Sequence, residues 1–404
     1  MMSIMDPPGD IPDVNNTSME YVRLNDSDYL HDGLSIYEVY APETVWVDRL
    51  VTPFMYAIGF PGNILSLIVW IQKRMRHSSG CYLAALALDD LIFLCLHVIY
   101  ELQTSWRINV LNVTFVCQFY PVVYMAVQYL SPLLVLGFTV ERYISICHPF
   151  KREKYCTTKR AKMVICFLTL LTFSMSSIQG YFYTLDVIDA NTTDCGPRAV
   201  VRLGGTASLF SVWNICAEMC IFLGVPLTVL LLNMLVIREL RRLSRVETQQ
   251  LHCRTQRTSA TTIMLLAVSF YQIITTLPVT IVYILFFEFP QGSYTVYTHR
   301  VLADQTWHRH FRYVLAETIT NEYGTTHYAF NIFIYLITGK MFRREIQKLL
   351  CCCKRSNISN PSEYTSLRSS HGRAGSTRGV ASAWTSVNGQ NGTRNGKDSG
   401  ETKV

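Results

Sequence analysis

The sequence predicts an all-α membrane protein: a bundle of seven transmembrane helices followed by an eighth, amphipathic helix on the membrane surface. Three observations predict it. Half of the 404 residues are hydrophobic and only 16% are charged, a balance too apolar for a soluble globule. The apolar residues are gathered into seven long blocks on the scale needed to cross a hydrocarbon core of ~30 Å. Basic residues follow every other block, as expected of loops retained on the cytoplasmic side of a membrane.

Residues 1–49 are polar and rich in Asp and Asn, with little periodicity, and are predicted to be an extracellular tail, disordered or folding on a partner. Glycosylation sequons stand at Asn15, Asn16 and Asn25, with further outer copies at Asn112, close to the membrane, and Asn191. Two copies on the predicted inner side, at Asn357 and Asn391, show how readily the motif arises by chance. The first residues lack a basic start and an apolar core, so the first span is expected to act as the insertion signal.

The bundle is predicted over residues 50–339. The first span, Leu50–Gln72, carries Gly59, Pro61, Gly62 and Asn63, and the second, Ser78–Tyr100, carries Asp89, Asp90 and His97. The third, Phe115–Phe150, reads as one helix and organises the rest. It is uncharged up to Val140, then gives Glu141-Arg142-Tyr143 and runs on to His148-Pro149-Phe150. Cys117 lies 25 residues before Arg142, so at ~1.5 Å per residue the two are ~37 Å apart, at opposite faces of the membrane. The fourth span is Met163–Leu185, the fifth Leu203–Ile237 with Glu218 as its one acidic residue, and the sixth the uncharged Thr258–Phe287. The seventh, Tyr313–Gly339, is the most polar, holding Glu317, Glu322 and His327.

Residues 340–353 alternate basic side chains with Met341, Phe342, Ile346, Leu349 and Leu350 and end in Cys351-Cys352-Cys353, which reads as a short amphipathic helix on the inner leaflet. Cysteines beside such a helix suit palmitoylation. Residues 354–404 are rich in Ser, Gly, Asn and Thr and are predicted to be a disordered cytoplasmic tail with candidate phosphorylation sites. The final Glu401-Thr402-Lys403-Val404 fits a PDZ groove, with Val404 and the carboxylate as anchors and Thr402 as the specificity residue.

Basic clusters after spans 1, 3, 5 and 7 place those segments in the cytoplasm and the acidic N-terminus outside. The net charge of +7 is thereby a topology signal, and no nucleic-acid partner is expected. Of 13 cysteines only Cys117 and Cys195 fall in predicted outer segments. In an oxidising compartment the two suggest one disulfide, the alternative being two free thiols.

Asp89 and Asp90 sit inside an apolar helix, where an aspartate costs ~2.5–3.5 kcal/mol and normally faces a polar interior. Consecutive helical residues point ~100° apart, so only one of the pair can face the bundle axis fully. With Asn63, Ser131 and Asn331 on neighbouring spans, Asp90 offers oxygen ligands for a sodium ion; the alternative is a protonated aspartate in a structural hydrogen-bond network. Arg142 is either a snorkelling anchor or, folded back on Glu141 and able to exchange that partner, a switch.

These features resemble the rhodopsin-like (class A) G-protein-coupled receptors over about Leu50–Cys353. The resemblance rests on Gly62-Asn63, Leu86-Ala87 with Asp90-Leu91, Cys117 with Cys195, Glu141-Arg142-Tyr143, Pro226, Pro278, and Asn331 with Tyr335 ahead of Lys340-Met341-Phe342-Arg343. It implies that Glu141, Arg142, Tyr143, Asn331 and Tyr335 form a switch for a heterotrimeric G protein, with arrestin as a further partner. The chain departs from the family pattern at Thr276 and Gln272 in the sixth span, Met234 in the fifth, Ile332 in the seventh and Pro132 in the third, and it lacks a fourth-span tryptophan. The usual mid-membrane relay is thus altered while the arginine switch is intact.

Three ligand classes are opposed. The seventh span has no lysine for a retinal Schiff base, the third has no acidic residue from Gln118 to Ser131 for an amine, and no cysteines exist for a second outer disulfide of the chemokine-receptor kind. What remains is a wide polar and aromatic mouth at Tyr100, Glu101, Gln103, Tyr124, Gln128, Tyr283, Glu317, Asn321 and Glu322. A short basic peptide suits it, and the chain is similar to invertebrate neuropeptide receptors of the FMRFamide type. The expected function is a plasma-membrane receptor that binds a neuropeptide and activates a G protein. The alternatives are a receptor for a non-peptide ligand or a non-signalling seven-helix scavenger or scaffold. No nucleophile-base pair or metal cluster marks an enzyme, and no internal repeat marks a transporter.

Overall fold

The computed structural model describes residues 36–189, 192–202, 207–247, 255–290 and 304–356. A short helix α1 (Ile36–Tyr40) leads into α2 (Pro42–Trp70), which opens on a proline whose missing N–H is no loss in a first turn. The helix thus begins at Pro42, inside the stretch expected to be tail. Hydropathy truncates it because Arg49 is charged. In the fold, Arg49 donates to Glu38 at 3.0 Å and to the Ser105 carbonyl at 2.7 Å, so its charge is accommodated within the helix.

Helix α3 (Ser78–Thr104) and helix α4 (Thr114–Cys147) follow. The third span does not run on to Phe150: His148 leaves the helical region (φ −132°, ψ 66°), and Pro149 opens a separate helix α5 (Pro149–Tyr155). The residue before a proline is pushed away from helical geometry, which is the break observed. Helix α6 (Thr158–Ser176) is capped by the Thr157 hydroxyl, and one turn, α7 (Gln179–Phe182), completes the fourth span.

Tyr183-Leu185, read as the end of that span, instead starts a hairpin of β1 (Tyr183–Asp189) and β2 (Thr192–Pro197), antiparallel, with Leu185 opposite Cys195. Helix α8 (Ala199–Arg202) leads towards α9 (Leu209–Glu218), whose N-terminus Ser208 caps. A π turn, Met219–Gly224, joins α9 to α10 (Val225–Glu247), so the fifth span is interrupted immediately before Pro226. Helices α11 (Thr255–Leu285), α12 (Gln305–Thr338) and α13 (Lys340–Ser356) complete the described chain.

Six of these segments are long and apolar enough to cross a membrane, and the chain is a multi-pass membrane protein. Helix α12 is the seventh, at 34 residues. Its acidic and imidazole groups depress its hydropathy, but they are turned into the bundle: the Thr52 hydroxyl donates to Glu322 at 2.6 Å, and His327 Nδ1 lies 2.5 Å from the Gly324 carbonyl. Apolar side chains such as Met163, Phe167 and Leu170 on α6 face outward, where lipid replaces water as the solvent.

Two packed regions hold the bundle. At the Arg142 end, Trp70, Tyr335 and Phe342 pack ring on ring with centroids 5.2–5.5 Å apart, joining α2, α12 and α13. At the Cys117 end a ladder of rings runs Tyr120, Tyr124, Phe93, Tyr328 through α4, α3 and α12. Helices α2 and α12 approach closely because Gly59 has no side chain. A Cβ there would lie 2.7 Å from Leu94 Cδ1 and 3.2 Å from the Ala329 backbone.

Candidate functional site

A cavity opens between the helices towards the Cys117 end. Gln128 reaches it from α4, Glu218 from the end of α9 and Phe222 from the π turn; Thr276, Thr280 and Tyr283 line it from α11, and Asn321, Gly324, His327 and Tyr328 from α12. Gly324 permits this: a Cβ at that position would meet Val279 at 2.6 Å, so α11 and α12 can converge only on a glycine. A disulfide between Cys117 and Cys195, with Cα atoms 5.6 Å apart, pins the β-hairpin to the top of α4. Asn112 strengthens the tether, donating to the Thr193 carbonyl at 2.7 Å and accepting from the Cys195 N–H at 3.2 Å. Tyr183, on β1, is within electrostatic reach of Tyr283 and Tyr129, and burial pushes its hydroxyl up to about 12.

The structure brings together three of the seven residues expected to touch ligand: Gln128, Tyr283 and Asn321. Glu317 stands close by, within electrostatic reach of Tyr283, but is not in the lining. Tyr100, Glu101 and Tyr124 lie elsewhere. Tyr124 is 3% exposed, stacked between Tyr100, Tyr120 and Phe93, because flat rings from adjacent helices gain more from one another than from an open mouth. Glu101 is buried with Asp48 and Glu322 between α2, α3 and α12. Sequence reading missed Glu218, although it is the lone acidic residue in its apolar block, which was the available signal. It also missed Thr276 and Thr280 as lining groups. The Thr280 hydroxyl donates to Glu218 at 3.2 Å.

In the middle of the bundle, Asn331 Nδ2 donates to Asp90 Oδ2 at 2.9 Å and Asn63 Nδ2 to the Tyr328 carbonyl at 2.6 Å. Ser131 is engaged apart from these, accepting from Gln272 at 3.1 Å, so the four residues expected around one ion fall into three separate contacts. Gln272, where the family pattern has an aromatic, thereby links α11 to α4. Asp90 Oδ1 and Asn63 Oδ1 are buried and have no hydrogen-bond partner, an oxygen-only donor set that fits a small hard cation. Asp89 is buried as fully as Asp90, and its Oδ2 is likewise unpartnered. Although the two point ~100° apart, neighbouring helices bury both.

At the other end, Arg142 does not fold back on Glu141. The Glu141 carboxylate accepts from Ser78 at 2.5 Å and Ser79 at 3.1 Å, both in the first turn of α3, and no ion pair joins it to Arg142 among the described residues. Two short hydroxyls in fixed positions satisfy the carboxylate more readily than an adjacent side chain pointing ~100° away. Arg142 Nε is buried without a partner. Tyr143 packs edge-on against His148, and Tyr335 is enclosed by Trp70 and Phe342 with its hydroxyl unpartnered. Cys156, between α5 and α6, donates to the Glu141 carbonyl at 3.6 Å, and burial, then the Glu141 charge, raise its thiol above the usual 9.0.

The sequons at Asn15, Asn16, Asn25 and Asn191, and the terminal Thr402 and Val404, lie outside the described residues. Cys351, Cys352 and Cys353 lie in the last turns of α13, where the backbone alone is described.

Compared with known proteins, residues 62–316 match the family model described as 7 transmembrane receptor (rhodopsin family). The chain is 31% identical over 185 residues to the thyrotropin-releasing hormone receptor of Gallus gallus, covering 41% of this chain and 44% of that one. It is 22% identical over 314 residues to the FMRFamide receptor of Drosophila melanogaster, covering 74% of this chain and 53% of the other. With the growth hormone secretagogue receptor type 1 of Sus scrofa the identity is 30% over 143 residues, 35% of this chain and 38% of that one. The chain thus spans about half or less of the length of these relatives. The seven long helices, the disulfide from α4 to the hairpin and the match over most of the bundle lead to one conclusion: the chain belongs to the rhodopsin family of seven-transmembrane receptors, which are signalling receptors and not enzymes.

Proposed function

We propose that the chain is a plasma-membrane receptor for an extracellular peptide and that it activates a heterotrimeric G protein, with its N-terminus outside and its C-terminus in the cytoplasm. One observation carries the reading. A polar and aromatic cavity at Gln128, Glu218, Tyr283 and Asn321 opens towards the end of the bundle where a disulfide pins the hairpin to α4, while Arg142 stands at the far end of the same helix α4. Ligand at the first end can bias the packing that buries Arg142 at the second by binding one arrangement of the bundle better than the other. Relatives named for thyrotropin-releasing hormone and FMRFamide support a peptide ligand; the basic loops support the orientation.

Further parts of the reading rest on sequence and local chemistry. The Asp90 and Asn63 oxygens would hold a sodium ion and stiffen the α2–α3–α12 contact. The sequons would carry glycans, Cys351–Cys353 lipid, the tail arrestin, and Thr402 with Val404 a PDZ domain. A non-signalling scaffold is the second reading, favoured by Gln272 bonded to Ser131 where the family relay would lie. A panel of synthetic amidated neuropeptides on cells expressing the chain, read by calcium and cyclic AMP, separates the two. A nanomolar response supports the receptor. Silence with protein at the surface favours the scaffold or a non-peptide ligand.

A further inference from the structure

The cavity has a single charged lining group, among the described residues. Glu218 is its one carboxylate, and neither arginine nor lysine lines it, among the described residues. Of the lining residues that are more than nine-tenths buried, two have an atom without a hydrogen-bond partner: Thr276, 6% exposed, at its hydroxyl, and His327, 7% exposed, at Nε2. His327 Nδ1 lies 2.5 Å from the Gly324 carbonyl, which can only accept, so the neutral ring carries its hydrogen on Nδ1 and presents Nε2 as a bare lone pair. A buried acceptor left unmade is costly, and a ligand that supplies donors recovers that cost.

We propose that this cavity takes a cationic side chain of the ligand, a guanidinium or an ammonium, with Glu218 as its counterion and His327 Nε2 and the Thr276 hydroxyl as further acceptors. Both heads offer several N–H donors and no acceptor. An anionic head would set like charge against Glu218 and an acceptor against the His327 lone pair. Glu218 is not among the carboxylates that the sequence places in the mouth, Glu101, Glu317 and Glu322, and none of those three lines the cavity. Glu218 thereby becomes the residue that selects ligand charge.

The proposal rests on the peptide-receptor reading and is tested so that the two fail separately. The full-length receptor is challenged with the most potent peptide of the panel and with neutral analogues, citrulline for each arginine and norleucine for each lysine. In the native receptor one such replacement lowers potency about 10- to 100-fold, the range of a charge-assisted hydrogen bond. In Glu218→Gln the parent peptide is weakened to a similar degree and the neutral analogue loses nothing more. Equal potency of parent and all analogues in the native receptor overturns the proposal, as do losses that simply add, or an active peptide with no basic residue; the receptor reading survives each of these. Thr276→Val gives a second variant, with a loss for the parent peptide exceeding that for the neutral analogue. If no peptide acts, N-acetyl-arginine amide and N-acetyl-citrulline amide are compared as thermal-shift probes on the purified receptor. Stabilisation by the arginine compound in the native protein and not in Glu218→Gln supports the cation site, and equal behaviour overturns it.

Discussion

Asn331 on α12 donates its amide hydrogen to Asp90 on α3 across 2.9 Å, joining residues 241 positions apart in the chain. The bond is fully buried, and the second Asp90 oxygen has no partner. Removing the donor would leave both carboxylate oxygens unsatisfied. Asn331→Leu is expected to lower stability by about 1–3 kcal/mol, seen as a reduced melting temperature of the purified receptor. An unchanged melting temperature would show that the contact does not hold α3 to α12.

Glu141 depends on α3 in the same way. With Ser78 and Ser79 both changed to alanine, its carboxylate loses the two hydroxyls that satisfy it, and the α3–α4 contact at that end is expected to weaken by about 2 kcal/mol or more. Thermal unfolding measures the loss. The double variant should fall further than either single one, since each hydroxyl can partly cover for the other.

The hairpin is held to the top of α4 at Cys195. Cys195→Ser removes a cross-link closing 78 residues of sequence separation, for which chain-entropy reasoning gives a loss of about 2–5 kcal/mol. Surface expression and peptide affinity should both drop. Normal values for both would mean that the Asn112 bonds alone position the hairpin.

Cys156 supplies a pH test outside the spans. Burial first, and the negative Glu141 second, raise its thiol above 9.0, and the thiolate is the reactive form. Maleimide labelling followed by mass spectrometry should therefore be slow near neutral pH and climb above pH 9. Glu141→Gln should move the rise to lower pH, because the charge that disfavours thiolate is gone. A rate at neutral pH equal to that of a free thiol would contradict the placement of Cys156 beside Glu141.

The helical spans were legible because lipid demands long apolar runs and leaves few exceptions. Arg49 shows where that signal ends: a charge that finds a carboxylate and a carbonyl is tolerated in a helix that hydropathy cuts short. The His148 break was hidden inside an otherwise continuous segment, although Pro149 marked it. Local composition says nothing of Tyr183–Pro197 folding as a hairpin, since the β-pairing is selected by the anchor at Cys195. Of the site, Gln128, Tyr283 and Asn321 were readable as polar positions facing the axis. Tyr124 stands in the ring ladder and not in the cavity lining, a placement the sequence does not show because a tyrosine that stacks in a ladder and one that greets a ligand have the same signature. Glu218 was visible as a lone charge, but its access to the cavity depends on where the fifth span ends its first helix and enters the π turn.

The central claim is that ligand at one end of α4 is reported through Arg142 at the other. Arg142→Ala tests it most directly, with labelled-peptide binding and calcium release measured on the same cells at matched surface density. The account predicts native affinity with signalling abolished. A full calcium response from the variant would contradict it.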